Sequence, residues 1–172
     1  ATAIAAIVQL RHMRGSNQIA AVLECRETID APEFRRAVDF VSFEYPKRLA
    51  DPNERERASQ FPPVDEYKDV ITVCNLFETL GAFVKNGIVD RAMSVDLWGL
   101  VVLRAWNGAA PLIYLARRRL NDARLQDNFE YLAVLCSSDE GRRSRYPRRT
   151  RRMPPDTSLV DATNLQGPSA YT

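Results

Sequence analysis

The chain has 172 residues, with 24 Lys and Arg against 22 Asp and Glu, a net charge of +2 and 45% apolar residues. That length and balance exclude a wholly disordered chain and suit one domain with a core, plus a further segment. A single histidine and three scattered cysteines exclude the paired Glu-x-x-His sites of di-iron bundles and closely spaced Cys/His zinc sites.

The chain opens on "ATAIAAIVQL" and turns basic at "RHMR". As a helix, the apolar stretch covers about 15 Å, half the thickness of a bilayer core. Arg11 and Arg14 behind it have the placement of a cytoplasmic flank. The expectation is the inner half of a membrane span, with a soluble helix end as the alternative. No charge precedes Ala1, which argues against a signal peptide, and the lack of an initial Met points to a start further upstream or to processing.

The first helix is expected to reach about Thr28, with a weak point at Gly15. Asp30, Pro32 and Glu33 then form the pattern of an N-cap, an early-turn proline and a capping-box acid. The helix they open places Phe34, Val38 and Val41 on one face and is expected to stop before Pro46. "DPNE" at 51–54 begins a short charged helix, and "FPPVD" at 61–65 is a boundary.

The firmest helix signal spans 65–86. Val70, Val73, Cys74, Phe77, Leu80, Gly81 and Val84 recur at intervals of three and four, the spacing of a core-facing stripe. Asn86-Gly87 supplies a left-handed stop, and Asp90 caps the next helix. So short a connection predicts an antiparallel hairpin, with Phe77, Leu80, Val84, Leu97 and Val101 in one core. The partner, "RAMSVDLWGLVVLRAW", is apolar almost all round and is expected at the centre of the bundle. Asp96 and Arg104 break its run, which reads as too short for a bilayer, and Pro111 is expected to kink or end it. A last helix aligns Leu125, Phe129, Leu132 and Cys136. The fold class is therefore all-α: a small bundle (29–136) built on a hairpin, preceded by an N-terminal helix (1–28). Residues 137–172 read as an extended Arg- and Pro-rich tail. Cys25, Cys74 and Cys136 are expected to be buried free thiols.

Chemistry-bearing candidates are few. No glycine-rich phosphate loop, G-x-S-x-G elbow or H-E-x-x-H motif occurs, so neither an enzyme nor a cofactor is expected. Asn75 and Glu78, three apart beside the apolar stripe, share a face. They could line a pocket, but the favoured reading is structural: Glu78 pairs with a base such as Arg104 on the neighbouring helix and fixes register. Residues 142–152 carry Arg142, Arg143, Arg145, Arg148, Arg149, Arg151 and Arg152 with no acid, while the residues before them carry a small net negative charge. Such a run is either a solvated tail or a surface for carboxylates and phosphates on a protein subunit, an anionic membrane or nucleic acid. Only Tyr146 interleaves it, so a base-stacking platform is not favoured.

The blocks "IAAIVQLRHMRGSNQ", "PEFRRAVDFV", "VCNLFETLGAFVKNGIVD", "LWGLVVLRAW" and "NFEYLAV", spread over about residues 4 to 135, resemble the bacterial domain of unknown function 4760 family. The block around Asn75, Glu78, Gly81 and Gly87 is the most specific of them. The resemblance implies an N-terminal membrane span followed by a helical domain, and it brings no activity or catalytic residues. The Arg run departs from the family pattern. The combined expectation is a scaffold or accessory subunit of a protein assembly, on the cytoplasmic face of a bacterial inner membrane. A nucleic-acid-associated or regulatory protein working through 142–152 is the alternative.

Overall fold

The computed structural model describes residues 18–58 and 67–138, together with Gly15. Arg11, Arg14, the boundary at 61–65 and the Arg run at 142–152 lie outside the described residues. Those described are helical, with no strand among them, as an all-α reading requires.

Residues 18–30 form α1, which continues two residues past Thr28. It buries Cys25 and Ile29 in the common core. Asp30 stays inside this helix and does not act as the expected N-cap. Ala31 caps α2 (Pro32–Asp39) without a side-chain bond, and Pro32 takes the opening turn. The Asp30 carboxylate is held instead by Arg35 at 2.8 Å and Arg26 at 3.4 Å. Glu33 pairs with Arg36.

Phe34, Val38 and Val41 are buried, as their spacing predicts. Regular α geometry stops at Asp39, yet the chain stays helical. A π-helical turn, Phe40–Glu44, leads into α3 (Tyr45–Arg48), which contains Pro46. The Tyr45 N–H reaches back five residues to the Phe40 carbonyl. Pro46, five residues after Val41, has no N–H to return to the Val41 carbonyl. That carbonyl faces the later helix at Gly108, where a Cβ would lie 1.9 Å from it. Only a glycine admits this approach. The short helix α4 (Pro52–Ala58) follows, its first turn held by Asn53 N–H donating to the Asp51 carboxylate at 2.8 Å.

The helix α5 (Lys68–Lys85) buries Val70, Val73, Cys74, Phe77, Leu80, Gly81 and Val84, the full stripe expected. Gly87 then adopts a φ of +70°. Asp90 caps α6 (Arg91–Leu120), its carboxylate accepting from Met93 N–H at 2.9 Å. The last helix, α7 (Asp127–Ser137), buries Phe129, Leu132 and Cys136 as expected, while Leu125 lies ahead of it.

Two expectations about α6 are corrected. Pro111 does not end it, and the helix runs thirty residues. Proline costs about 3 kcal/mol inside a helix. Packing on both sides offsets that here, with Gly108 against Val41 before it and Arg117 paired to Glu130 after it. The second correction concerns the core. Phe77, Leu80 and Val84 are buried, but Leu97 is 46% exposed and Val101 only half-buried. The most extensive partner of α5 is α7, not its hairpin neighbour α6, while α6 touches α7, α5, α3, α2 and the π-helical turn. Phe77 stacks on Phe129 at 5.2 Å and meets Phe34 edge-on at 5.9 Å. Trp106 of α6 meets Phe129 edge-on at 5.0 Å. The α6 and α7 contacts run antiparallel, from Gly99 beside Cys136 to Arg117 beside Glu130.

Candidate functional site

The polar pair singled out in the sequence, Asn75 and Glu78, sits where α7 begins. Glu78 does not meet Arg104. Its Oε2 accepts from the Phe129 backbone N–H at 2.8 Å, and its Oε1 accepts from the Asn128 side chain at 2.7 Å. Phe129 is the third residue of α7, so its N–H is one of the four that a helix start leaves unpaired. Gln126, ahead of α7, makes no side-chain cap. Glu78 thus serves as a cap delivered from another helix, and its negative charge suits the positive end of the α7 dipole. Asn75 Oδ1 accepts from the Gln126 side chain at 3.4 Å, and Lys85 pairs with Asp127 at 3.6 Å. Gly81 completes the seam, because a Cβ there would lie 2.1 Å from the Asn128 carbonyl oxygen.

The opposite side of α7 is held by Arg117. Its Nε donates to the Leu125 carbonyl at 2.8 Å and its Nη1 to Glu130 at 2.6 Å, with only 13% of the side chain exposed. Asn128, Gln126 and the Arg117–Glu130 pair escape sequence reading, since each finds its partner through the packing of separate helices. A signal did exist. The start of α7 lacks a Ser, Thr or Asp cap of its own, so its N–H groups need an acceptor from elsewhere.

Cys25, Cys74 and Cys136 are free and buried, as expected. Burial, and then the Glu78 carboxylate, pushes the Cys74 thiol up to about 12. Burial alone pushes Cys136 up to about 11. Thiols held neutral in this way are poor nucleophiles and poor metal ligands.

The second candidate region is the outer surface of α6. Met93 is 40% exposed, Leu97 46% and Leu100 71%, and Asp96 and Arg104 stand exposed on the same side. Beside it, a groove of about 380 Å³ opens between α1, α2 and α6. Ile29, Leu97, Trp98 and Val101 supply its apolar lining, and Arg26, Asp30, Arg35, Asp39 and Arg104 its charged one. Arg35 and then Arg26 hold the Asp30 carboxyl below its ordinary range. Arg104 lies 6.0 Å from the Phe43 ring centroid. The groove is amphipathic, with acids and bases both represented.

In sequence the apolar run of α6 is too short for a membrane, and its continuation through Pro111 changes that. Across its most apolar stretch the mean hydropathy is 1.3, so by length and composition α6 could cross a membrane. Of that stretch, 39% is buried inside the domain. A membrane span and the core helix of a soluble bundle share this composition.

No curated protein and no solved structure matches the chain. A family model described as "Domain of unknown function (DUF4760)" matches residues 1–135, a span that takes in both the α5–α7 seam and the α6 face. The chain belongs to the DUF4760 family.

Proposed function

We propose that this protein is a non-enzymatic scaffold or accessory subunit of a membrane-associated assembly, working from the cytoplasmic face of a bacterial inner membrane. The observation that carries the reading is the outer face of α6. Leu100, at 71% exposure, is the most exposed large apolar side chain described, and Met93 and Leu97 extend the strip. Single exposed apolar residues are ordinary, but a contiguous strip on one helix is a feature of contact surfaces. The apolar opening stretch with Arg11 and Arg14 behind it supports the membrane side of the reading. The Arg run at 142–152 supports a second, salt-sensitive contact with an acidic surface.

Site-specific photo-crosslinking tests this reading in cells making the full-length protein. A crosslinker at position 100 is expected to capture protein in the membrane fraction, whereas one at exposed Asn53 on α4 is not. Absence of adducts at position 100, with the protein wholly in the soluble fraction, would refute the reading. Replacing Arg148, Arg149, Arg151 and Arg152 by Ser leaves the fold intact and weakens association most at low salt.

A further inference from the structure

We infer that the outer face of α6 pairs with the same face of a second copy of this chain, across a two-fold axis at Leu100. The inference rests on the contact-surface reading above and names the partner. Asp96, Leu100 and Arg104 are spaced by four residues, so they form one ridge on the helix surface, drifting about 40° per step. Leu100 stands at its middle, with the acid one turn before it and the base one turn after. Both charged side chains are exposed. Neither forms an ion pair among the described residues, and Arg104 has only the Phe43 ring at 6.0 Å.

This ridge is complementary to itself. A two-fold axis lying in the interface and crossing the ridge at Leu100 reverses its direction. It sets Leu100 beside Leu100, Asp96 of one copy against Arg104 of the other, and Arg104 of the first against Asp96 of the second. A parallel pairing would instead set acid on acid and base on base, so charge selects the antiparallel arrangement. Packing four-residue ridges together crosses two helices at about 50°, the commonest class in globular proteins. Leu97, beside the middle of the ridge, then falls next to its own equivalent, as an isologous interface requires. The same surface thus supplies an apolar centre flanked by two symmetric ion pairs.

Sedimentation equilibrium of the full 172-residue chain tests this. The wild type is expected at twice the 19.5 kDa chain mass. Asp96→Arg alone and Arg104→Asp alone leave each copy repelling its twin, and both become monomers. Mixing those two variants restores a dimer containing one of each, and the double variant Asp96→Arg/Arg104→Asp dimerises again. Leu100→Glu abolishes the dimer while the resulting monomer keeps its helical content, since the residue is outside the core. A wild type that stays monomeric at its highest soluble concentration overturns the inference, as does a dimer indifferent to the charge swaps. A monomer that sediments with anionic phospholipid vesicles, and loses that with Leu100→Glu, also overturns it and assigns the face to lipid. In either monomeric case, adducts at position 100 still support the broader contact-surface reading, so the two fail separately.

Discussion

The α5–α7 seam and the outer face of α6 are both built from apolar helix surface with a few charges, yet they end differently. In the seam every charge is answered within the chain: Glu78 by Asn128 and the Phe129 N–H, Lys85 by Asp127, Arg117 by Glu130. On α6, Asp96 and Arg104 point outward beside an exposed Leu100. Charges paired around an apolar centre specify how a chain folds, although Arg117 Nη2 and Gln126 Oε1 at this seam have no hydrogen-bond partner among the described residues. A similar composition left uncovered in the folded domain suits a second surface. The contrast separates the residues that hold the bundle together from those free to serve a partner.

The comparison breaks most readily at Phe77. It is fully buried between Phe34 and Phe129, so Phe77→Ala opens a cavity and costs about 3–5 kcal/mol in urea unfolding. An unchanged midpoint would mean that α7 does not pack on α5 as described. Next comes the cap. Glu78→Ala leaves the Phe129 N–H and the Asn128 amide without their acceptor, and a loss of about 2–3 kcal/mol is expected. Glu78→Gln retains an acceptor for one of them and loses less. Gly81→Ala pushes a methyl group into the Asn128 carbonyl and costs about 1–3 kcal/mol, despite the better helix propensity of alanine.

A pH titration sharpens the contrast. Cys74 and Cys136 belong to α5 and α7, and their thiols are held up to about 12 and about 11, against 9.0 for the free group. The unfolded chain releases these protons first, so their contribution to stability is complete below about pH 9 and declines above it. Native thiols are also expected to resist alkylation at pH 9, while Leu100→Cys on the α6 face, in the monomeric state, reacts at the rate of a free thiol. Equal reactivity of all positions would count against the buried seam. The smallest effect is expected at Leu100 itself, where Leu100→Ser in the monomeric state changes stability by less than about 0.5 kcal/mol. A larger loss would place Leu100 in the core and remove the distinction between the two surfaces.

Local features are legible in the sequence. The α5 stripe, the stop at Asn86-Gly87, the Asp90 cap and Pro32 in its opening turn all depend on neighbours within one or two turns, where spacing and side-chain chemistry decide. Periodicity failed on α6, because its apolar residues run almost all round and only Asp96 and Arg104 mark the outside, so that Leu97 is expected in the core. The candidate site was half legible. Asn75 and Glu78 stood out, but Glu78 was matched to the wrong helix, its true partners lying fifty residues onward in a helix that does not cap itself.

What the sequence by itself determined is the set of helices with most of their ends, the stripe that must be buried, and three thiols held in apolar surroundings. Only the tertiary structure decided that α7 is the main partner of α5, that Glu78 caps it, that α6 continues through Pro111, and that Leu100 faces outward. The reason is the range of the forces involved. Helix propensity, capping and turn chemistry act within a turn or two, whereas burial and pairing compare whole faces and choose among several apolar surfaces. That choice is settled by close approaches such as Gly81 on Asn128 and Gly108 on Val41, where the absence of a single Cβ lets two helices meet.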